Sequence, residues 1–473
     1  MRSHVQMSLC DIYTDLSLSF AEDKPSFFRL LDEHIHWDAL IPLSFHCAFY
    51  RHTGRKRVYP LQGFIRALVL QRVFGYTDDA QLLNTLRHSS EMRAFCGFSK
   101  VPDAAKLTRF KQNFCAELAA LLDRLVDLTE PICCEMNPDL AAVLLFDTTG
   151  IESYVAENNP KFLNSKLRQA KQLAKSNSGF DPYKGVYALL PEAAAANPAV
   201  RQQYSNGHFC YAQKAAVVTN GLGIVRHIDL LDDDFKRRHP NLSVPKRSDN
   251  PDLDKEIGDS MALNPVLSDF FAAHPSAPFT TFIGDAAFDS YDNYALLLRD
   301  FRFERALIPI NPRNSQSTNA DFNEHGVPLC PRDGTPFTYL AKSGGKNRSA
   351  RLKWVCHKSR KCGTGRICDC ENPCTPSAYG RCVYTYPDKN LRLYPGIGRD
   401  SEEWTSLYKR RVAVERSIGS FKAYFCLAGR KTANSLTTKA DLILAAIVQL
   451  LGVLIADALH QPQFARSIRR LIA

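Results

Sequence analysis

The chain has 473 residues, which is long enough for two or three domains with substantial cores. Its 60 lysines and arginines against 49 acids give a net charge of +11, which suits a polyanionic partner. Residues 1–6 lack the apolar stretch of a signal peptide, and the most apolar segment, residues 442–456, is short and contains Gln449. These features disfavour secretion and a membrane span, and predict a cytoplasmic protein with a buried C-terminal helix packed on a sheet.

Residues 1–135 are predicted to form a helical domain. An amphipathic helix over residues 61–74 is broken at Gly75, a second helix begins at Asp78 with acids in its first turn, and a third begins after Asp103. Successive short helices with tight breaks are typical of helix-turn-helix DNA-binding domains.

A basic run lies within this domain, between Tyr50 and Tyr59. Its cations include Arg55, Lys56 and Arg57, which are suited to contacting backbone phosphates. The alternative is an ordinary solvated loop.

Two aspartates follow strand-like apolar runs. Residues 141–146 end at Asp147, and residues 279–284 are followed by Asp285. Each acid is predicted at the tip of a strand, where ligands bind in open α/β sheets. A single aspartate of this kind could instead begin a turn or cap a helix.

The stretch between these aspartates is longer than two strands and a helix need. Residues 161–175 form a predicted basic helix, which we interpret as part of a DNA-facing excursion. Two strand-like runs then meet at Asn220-Gly221, a strong hairpin signal.

Residues 321–390 are rich in cysteine. Seven of the fifteen cysteines lie here: Cys330, Cys356, Cys362, Cys368, Cys370, Cys374 and Cys382. In a cytosolic protein this composition favours thiolate-bound Zn²⁺ over disulfides, with Cys330 and Cys356 joined by two later cysteines and His357 as a spare ligand. The spacings are irregular, so free thiols are the alternative.

The same segment is strongly basic, with nine lysines and arginines and no acid between residues 341 and 366. Arg351 and Lys353 are predicted to contact phosphates. Trp354, the next residue, could stack on a base. The tryptophan could equally supply the small core that such a segment needs.

A third acid lies among polar residues near the end of the chain. On a single helix, Tyr408, Arg411, Glu415 and Lys422 would fall at about 0°, 300°, 340° and 320°, a stripe roughly 60° wide. This order of hydroxyl, cation, acid and cation predicts a functional surface. The alternative is an exposed helix with incidental pairs such as Arg411 and Glu415.

Three such carboxylates suit metal-assisted phosphoryl transfer, in which two divalent ions are bridged and flanked by acids. Hard oxygen ligands select Mg²⁺ or Mn²⁺. The predicted metal ligands are therefore Asp147, Asp285 and Glu415. Phosphate would be positioned by Tyr408 through its hydroxyl and by Arg411 and Lys422 through their positive charge.

The spacing Tyr-x2-Arg-x3-Glu-x6-Lys from Tyr408 to Lys422 resembles the signature of DDE transposases of bacterial insertion sequences. Gly284 to Asp289 is similar to that family's second-acid segment, and Phe146-Asp147-Thr-Thr to its first-acid strand. Residues 95–110 resemble the N-terminal domain found in many of these enzymes. Lys214 occupies the position of the family's strand lysine, although it could be only an edge charge.

The resemblance implies an α/β RNase H-like catalytic domain, with the first two acids on neighbouring strands and the glutamate on a late helix. It would follow an N-terminal all-α domain and be interrupted by a cysteine-rich insertion. The domains would be residues 1–135 for DNA binding, 136–320 and 391–473 for catalysis, and 321–390 for the basic, zinc-binding insertion.

The resemblance also implies an enzyme that binds double-stranded DNA at the ends of its own element, cleaves it with Mg²⁺ and joins it to target DNA. Synapsis of two ends implies a homodimer or larger assembly, located in the cytoplasm at the nucleoid. Two alternatives are a nuclease of the same fold that does not join, and a non-catalytic DNA-binding relative.

Overall fold

The computed structural model describes residues 26–54, 56–177, 179–205, 207–242, 257–311, 321–323, 326–345 and 348–471. The chain divides into two compact units, and each is described by itself. The first contains residues up to 132 and from 419 onward, and the second contains residues 133–418. Residues 391–473, which were predicted to belong to the catalytic part, are divided between the two units.

The first unit is helical, as predicted. Its helices are α1 (Ser26–His34), α2 (Trp37–Leu40), α3 (Leu43–Phe49), α4 (Leu61–Val73), α5 (Asp79–His88), α6 (Ser90–Phe95), α7 (Ala104–Asn113), most of α8 (Cys115–Met136) and α17 (Ser435–Ala458). Asp78 accepts a hydrogen bond from the Ala80 N–H and Asp103 from the Lys106 N–H, so both predicted helix starts are capped.

Two helices form the centre of this unit. Eleven of the thirteen residues of α4 are buried, so the helix is enclosed on more sides than its predicted single apolar stripe would require. By length and composition alone, helix α17 could cross a membrane. However, 89% of its most apolar 18-residue stretch is buried inside the protein. It packs against α1, α4 and α7, where a sheet had been expected.

Asp441 in α17 is the centre of a buried ion network. Its carboxylate lies 2.8 Å from Arg72, 3.3 Å from Lys111 and 3.0 Å from Arg430. Asp79 joins the same network through Arg430 at 2.6 Å and Lys111 at 3.4 Å. Burial raises the cost of every charge here, and the three cations hold the pKa of Asp441 below its usual value.

The second unit is built on a central sheet. Its strands are β1 (Val143–Glu152), β2 (Ala193–Ala194), β3 (Asn197–Ser205), β4 (His208–Asn220), β5 (Val225–Leu230), β6 (Thr281–Ile283) and β7 (Arg305–Leu307). They lie in the order β2-β3-β4-β1-β6-β7, and β5 also pairs with β4. Strand β1 is antiparallel to β4 and parallel to β6, and β6 is parallel to β7.

Along the chain, the remaining helices of this unit lie before, between and after the strands. They are α9 (Pro138–Ala141), α10 (Pro160–Ser176), α11 (Pro182–Gly185), α12 (Asp233–Arg238), α13 (Asp259–Ala273), α14 (Tyr291–Ala295), α15 (Glu402–Tyr408) and the first part of α16 (Val412–Ala423). The core contains Phe146, Phe270 and Phe282, contributed by β1, α13 and β6. The predicted hairpin at Asn220-Gly221 and the basic helix α10 are both present.

The cysteine-rich segment lies between β7 and α15 and forms small sheets of its own. Strands β8 (Thr338–Gly345), β9 (Arg348–Val355) and β12 (Cys382–Thr385) pair in the order β12-β9-β8, and β10 (Ser359–Cys362) pairs with β11 (Gly365–Cys368). A compact cluster that includes Phe337, Leu352 and Trp354 forms its core.

Candidate active site

Strand register brings the two predicted aspartates together. Leu145 on β1 pairs with Ile283 on the parallel strand β6. Asp147 and Asp285 each lie two residues beyond this pair, so they emerge side by side at the same edge of the sheet. The prediction from the two apolar runs is therefore consistent with the pairing of the strands.

Asp147 itself is in the middle of β1, not at its tip as predicted. The parallel pairing with β6 ends at Leu145, but the antiparallel pairing with β4 continues, with Asp147 opposite Val217 and Glu152 opposite Ala212. Pairing with β4 therefore extends β1 past Asp147. On the side of β6, Asp147 has no paired strand residue in the described part of the chain. Asp285 does follow its strand, and its carboxylate caps a short 3-10 turn by accepting from the Ala287 N–H at 2.7 Å.

Glu415 lies in the first turn of α16, but the helix that carries it is not continuous with α15. A 3-10 turn over Lys409–Arg411 lies between α15 and α16, so the angles calculated for one regular α-helix do not apply across it. The buried side of α16 includes Val414 and Ser417, and the Ser417 hydroxyl donates to the Gly223 carbonyl in the β4–β5 turn. This contact positions Glu415 relative to the sheet.

One guanidinium reaches all three acids. Arg411 donates from Nη1 to Glu415 Oε1 at 2.6 Å, and its Nη2 lies 3.5 Å from Asp285 Oδ2 and 3.9 Å from Asp147 Oδ2. The three carboxylates predicted from separate parts of the sequence therefore converge on a single point of positive charge.

The protonation of Asp147 is unusual. Burial raises its pKa to about 6, and the neighbouring Arg411 guanidinium offsets only part of this effect. The carboxylates in turn raise the pKa of Arg411, which keeps that residue charged. Tyr408 is half-buried, stacks on Trp404 with ring centroids 6.1 Å apart, and has a pKa raised chiefly by burial.

A further acid contacts Thr148, the residue after Asp147, and sequence reasoning missed it. Asp259, at the start of α13, accepts a 2.5 Å hydrogen bond from the hydroxyl of Thr148 and pairs with Lys214 at 2.5 Å. Lys214 also donates to the Ile257 carbonyl at 2.6 Å, so it is more than an edge charge. An aspartate at a helix start is a common capping signal, and no pattern in the sequence distinguished this one.

Asp289, the last residue of the second-acid motif, has a different role from Asp285. It is fully buried and is held by Arg392, whose Nη2 lies 2.6 Å from Oδ2. The Tyr294 hydroxyl donates to the same carboxylate at 3.0 Å and the Asn311 N–H at 2.6 Å. The motif therefore contains one acid that faces the site and one that anchors the loop behind it.

The other predicted phosphate contacts have varied environments. Lys422 lies in the last turn of α16. Lys56 is exposed, Arg57 donates to the Phe49 carbonyl at 3.1 Å and lies over the Phe49 ring, and Arg55 is outside the described residues. Arg57 is thus exposed but makes contacts with Phe49.

Strand β9 separates cations from apolar residues by simple alternation. Leu352 and Trp354 are buried, and the Trp354 indole N–H donates to Thr385 at 2.9 Å. Arg351 and Lys353 point to the other face, over the rings of Tyr384 and Tyr379 at 4.6 and 4.8 Å. The tryptophan belongs to the small core, and the two cations remain partly accessible.

Two groups of side chains could bind metal through sulfur. Five of the predicted cysteines line one cavity: Cys330, Cys356, Cys368, Cys370 and Cys374. Cys362 is exposed at the end of β10, and Cys382 lies on β12. A separate cluster that the sequence did not suggest consists of Glu152, His208 and Cys210, whose ligand atoms lie within 4.8 Å of one another.

The donor set at Arg411 is of the kind that hard divalent cations bind. It consists of carboxylate oxygens from two strands and one helix. When Asp147 is ionised in its buried position it requires positive charge nearby, and Arg411 supplies that charge in this structure. The arrangement can therefore hold a divalent cation, and that cation can in turn bind a phosphate.

Comparison with known proteins links one end of the chain to transposases. Residues 17–113 match the profile of a family described as a transposase domain (DUF772), and no curated protein matches the sequence. Among solved structures, a piggyBac transposase in a synaptic complex with hairpin DNA matches at 9% identity over 94% of this chain and 79% of that chain, with a TM-score of 0.37. A likeness at that TM-score does not assign a fold.

Proposed function

We propose that this protein is a DDE-type DNA transposase, which binds the ends of its own element and catalyses metal-dependent DNA cleavage and strand transfer. The match of residues 17–113 to a transposase domain supports the class of protein. The observation that carries the proposed chemistry is the convergence of Asp147, Asp285 and Glu415 on Arg411.

The topology supports an RNase H-like catalytic domain interrupted by the cysteine-rich segment. Such a domain places its first two acids on neighbouring strands and the third on a late helix. Here Asp147 and Asp285 lie on and after the adjacent strands β1 and β6, and Glu415 lies on α16. The cysteine-rich segment lies between β7 and α15, so it separates the second acid from the third along the chain.

In this proposal the three acids hold two divalent ions, Mg²⁺ or Mn²⁺. When bound, such ions activate a water molecule or a 3′-hydroxyl and stabilise the leaving oxygen. The chain's own residues bind and orient the DNA. Arg411 contacts a phosphate oxygen, the Tyr408 hydroxyl donates a hydrogen bond to the DNA backbone, and Lys422 adds positive charge that attracts the phosphates.

The partners follow from the charge and from the reaction. Double-stranded DNA is the polyanion that the net charge of +11 suits, and the helical first unit would recognise the element ends. Joining two ends in one event requires at least a dimer during the reaction. We place the protein in the cytoplasm, at the nucleoid.

The test is an excision and insertion assay in cells. The gene is supplied beside a marked copy of its native flanking DNA, and every donor and target junction is sequenced. Wild type is compared with Glu415→Gln and with Glu402→Gln, a matched change of an exposed acid in α15. We expect defined junctions with wild type and Glu402→Gln, and none with Glu415→Gln.

Other results would point to different functions. Broken donor DNA without new insertions would indicate a nuclease that does not join. DNA binding by the purified protein, with no junctions and no breaks in any variant, would indicate a non-catalytic relative. Junctions that persist in Glu415→Gln would refute the site assignment itself.

A further inference from the structure

The five cysteines of the cavity come from four separate stretches of chain. Cys330 lies in a turn, Cys356 follows β9, Cys368 ends β11, and Cys370 and Cys374 lie in the loop beyond it. Their thiols are not joined as disulfides. Residues far apart in sequence thus present sulfur atoms to one small space.

The distance between two of the sulfurs suits a shared metal. Cys356 Sγ and Cys368 Sγ lie 3.8 Å apart, which is far longer than a disulfide of about 2.0 Å. Two thiolates on a tetrahedral zinc, each bonded at about 2.3 Å, stand about 3.8 Å apart. Cys374 packs against the buried cluster that contains Cys330, and both residues line the same cavity as Cys356 and Cys368.

The loop that covers these thiols is shaped around them. Gly380 has a φ of +87°, and a Cβ there would lie 2.9 Å from Cys368 Cβ, 3.1 Å from its Sγ and 3.4 Å from Cys356 Cβ. Only glycine allows this close approach. The Cys356 N–H donates to the Arg381 carbonyl at 3.0 Å and the Cys368 N–H to Ala378 at 2.8 Å, which fixes the loop over both sulfurs.

The segment has a small core. Its cluster of buried residues consists of Val327, Cys330, Phe337, Leu352 and Trp354. Segments below about 70–80 residues with small cores depend on disulfides or a structural metal. A metal at the thiols would tie the turn at Cys330 to the ends of β9 and β11 and to the loop at Cys374.

We propose that Cys330, Cys356, Cys368 and Cys374 bind one structural zinc ion as thiolates, each releasing its proton on binding. The site fixes β9, whose opposite face carries Arg351 and Lys353. Cys370 lines the cavity without being a ligand. This proposal is independent of the proposed catalytic function, since it concerns how the segment is held together.

The experiment measures zinc in the full-length protein, purified without added metal, by elemental analysis. We expect one zinc per chain, and near none in Cys356→Ser or Cys374→Ser. Cys362→Ser and Cys370→Ser should keep the zinc. His208→Ala and Asp147→Asn should also keep it, which distinguishes this site from the Glu152 cluster and from the catalytic acids.

A second measurement does not depend on any variant folding. Zinc is removed from wild type with a chelator, and Co²⁺ is added in its place. Four thiolates in a tetrahedral site give an intense thiolate-to-cobalt absorption band, and adding Zn²⁺ should abolish it.

Several results would overturn the proposal. They are wild-type protein that contains no zinc and gives no cobalt band, iron in place of zinc, or zinc that is lost in His208→Ala but kept in Cys356→Ser. Zinc that is lost in Cys370→Ser but kept in Cys368→Ser would refute the assignment of the ligands.

Discussion

Arg411 forms a 2.6 Å ion pair with Glu415 across one turn, and the same guanidinium extends to Asp285 and Asp147. One side chain thus places its single positive charge among three acids that repel one another. A divalent cation at the acids would compete for the same oxygens. The position of Arg411 should therefore depend on whether metal is bound.

This competition predicts the effect of Arg411→Gln. Without metal, the variant should unfold at a lower temperature than wild type at pH 7.5, because its acids have lost their counter-charge. On addition of Mn²⁺, its melting temperature should rise more than that of wild type, since no guanidinium has to be displaced. Thermal unfolding with and without Mn²⁺ measures both effects.

Arg410→Gln is the matched control, because Arg410 is the adjacent exposed arginine. It should leave both melting temperatures close to those of wild type. Equal Mn²⁺ shifts in Arg411→Gln and wild type would show that Arg411 does not occupy the position of the metal.

The raised pKa of Asp147 predicts how stability depends on pH. Its folded value of about 6 exceeds the usual 3.8, so the native state binds this proton more tightly than the unfolded chain does. The resulting stability is fully present below about pH 4 and is lost as pH rises through about 6. Asp147→Asn should therefore stabilise the metal-free protein at pH 8 and have little effect near pH 4.

Unfolding curves across this pH range test the prediction, with the exposed Asp388→Asn as the control. In wild type, Mn²⁺ binding should weaken as pH falls below 6, because the proton competes with the metal. A uniform effect of Asp147→Asn at every pH would contradict the assignment.

The network around Asp441 predicts a large loss of stability. Asp441→Asn leaves Arg72, Lys111 and Arg430 buried with one carboxylate fewer between them. Removing one partner of a buried ion pair costs about 3–5 kcal/mol. Urea unfolding should show this change in the first unit, while Asp457→Asn, an exposed change in the same helix, should cost little.

The cationic face of β9 predicts a change in DNA affinity and in its salt dependence. If Arg351 and Lys353 each contact a phosphate, the double change to glutamine should weaken binding to any sequence. It should also reduce the slope of log K against log salt by up to about 2. Lys389→Gln is a stringent control, since Lys389 also lies over a tyrosine ring in the same segment.

Titration of labelled duplex DNA at several salt concentrations measures both quantities. A slope that is unchanged in the double variant would mean that these cations do not contact phosphate.

The three acids stand out in the sequence because each carries local information. Asp147 and Asp285 followed apolar runs of strand type, and Glu415 lay in a run of polar residues with regular spacing. The break at Lys409–Arg411 was not predictable, because no glycine or proline marks the change from α-helix to 3-10 turn. Arg411 reaches Glu415 nonetheless, since the two lie one turn apart.

The supporting contacts were beyond the reach of local patterns. Asp259 meets Thr148 across 111 positions, Arg392 meets Asp289 across 103, and Arg72 meets Asp441 across 369. Such pairs form only in the tertiary structure. No periodic pattern in a single sequence indicates which distant residues will meet. Burial of Trp354 is different, since alternation along β9 separates it from Arg351 and Lys353 once the strand is known.

The pairing of Leu145 with Ile283 also determines when the site can exist. Asp147 and Asp285 become neighbours only after β6 has been synthesised and has docked beside β1, and Glu415 is made later still. A nascent or prematurely terminated chain that ends before α16 therefore carries two of the acids without the third. Under the proposed function, DNA cleavage would be confined to chains whose synthesis has passed α16, and incomplete copies of the protein would leave the cell's DNA intact.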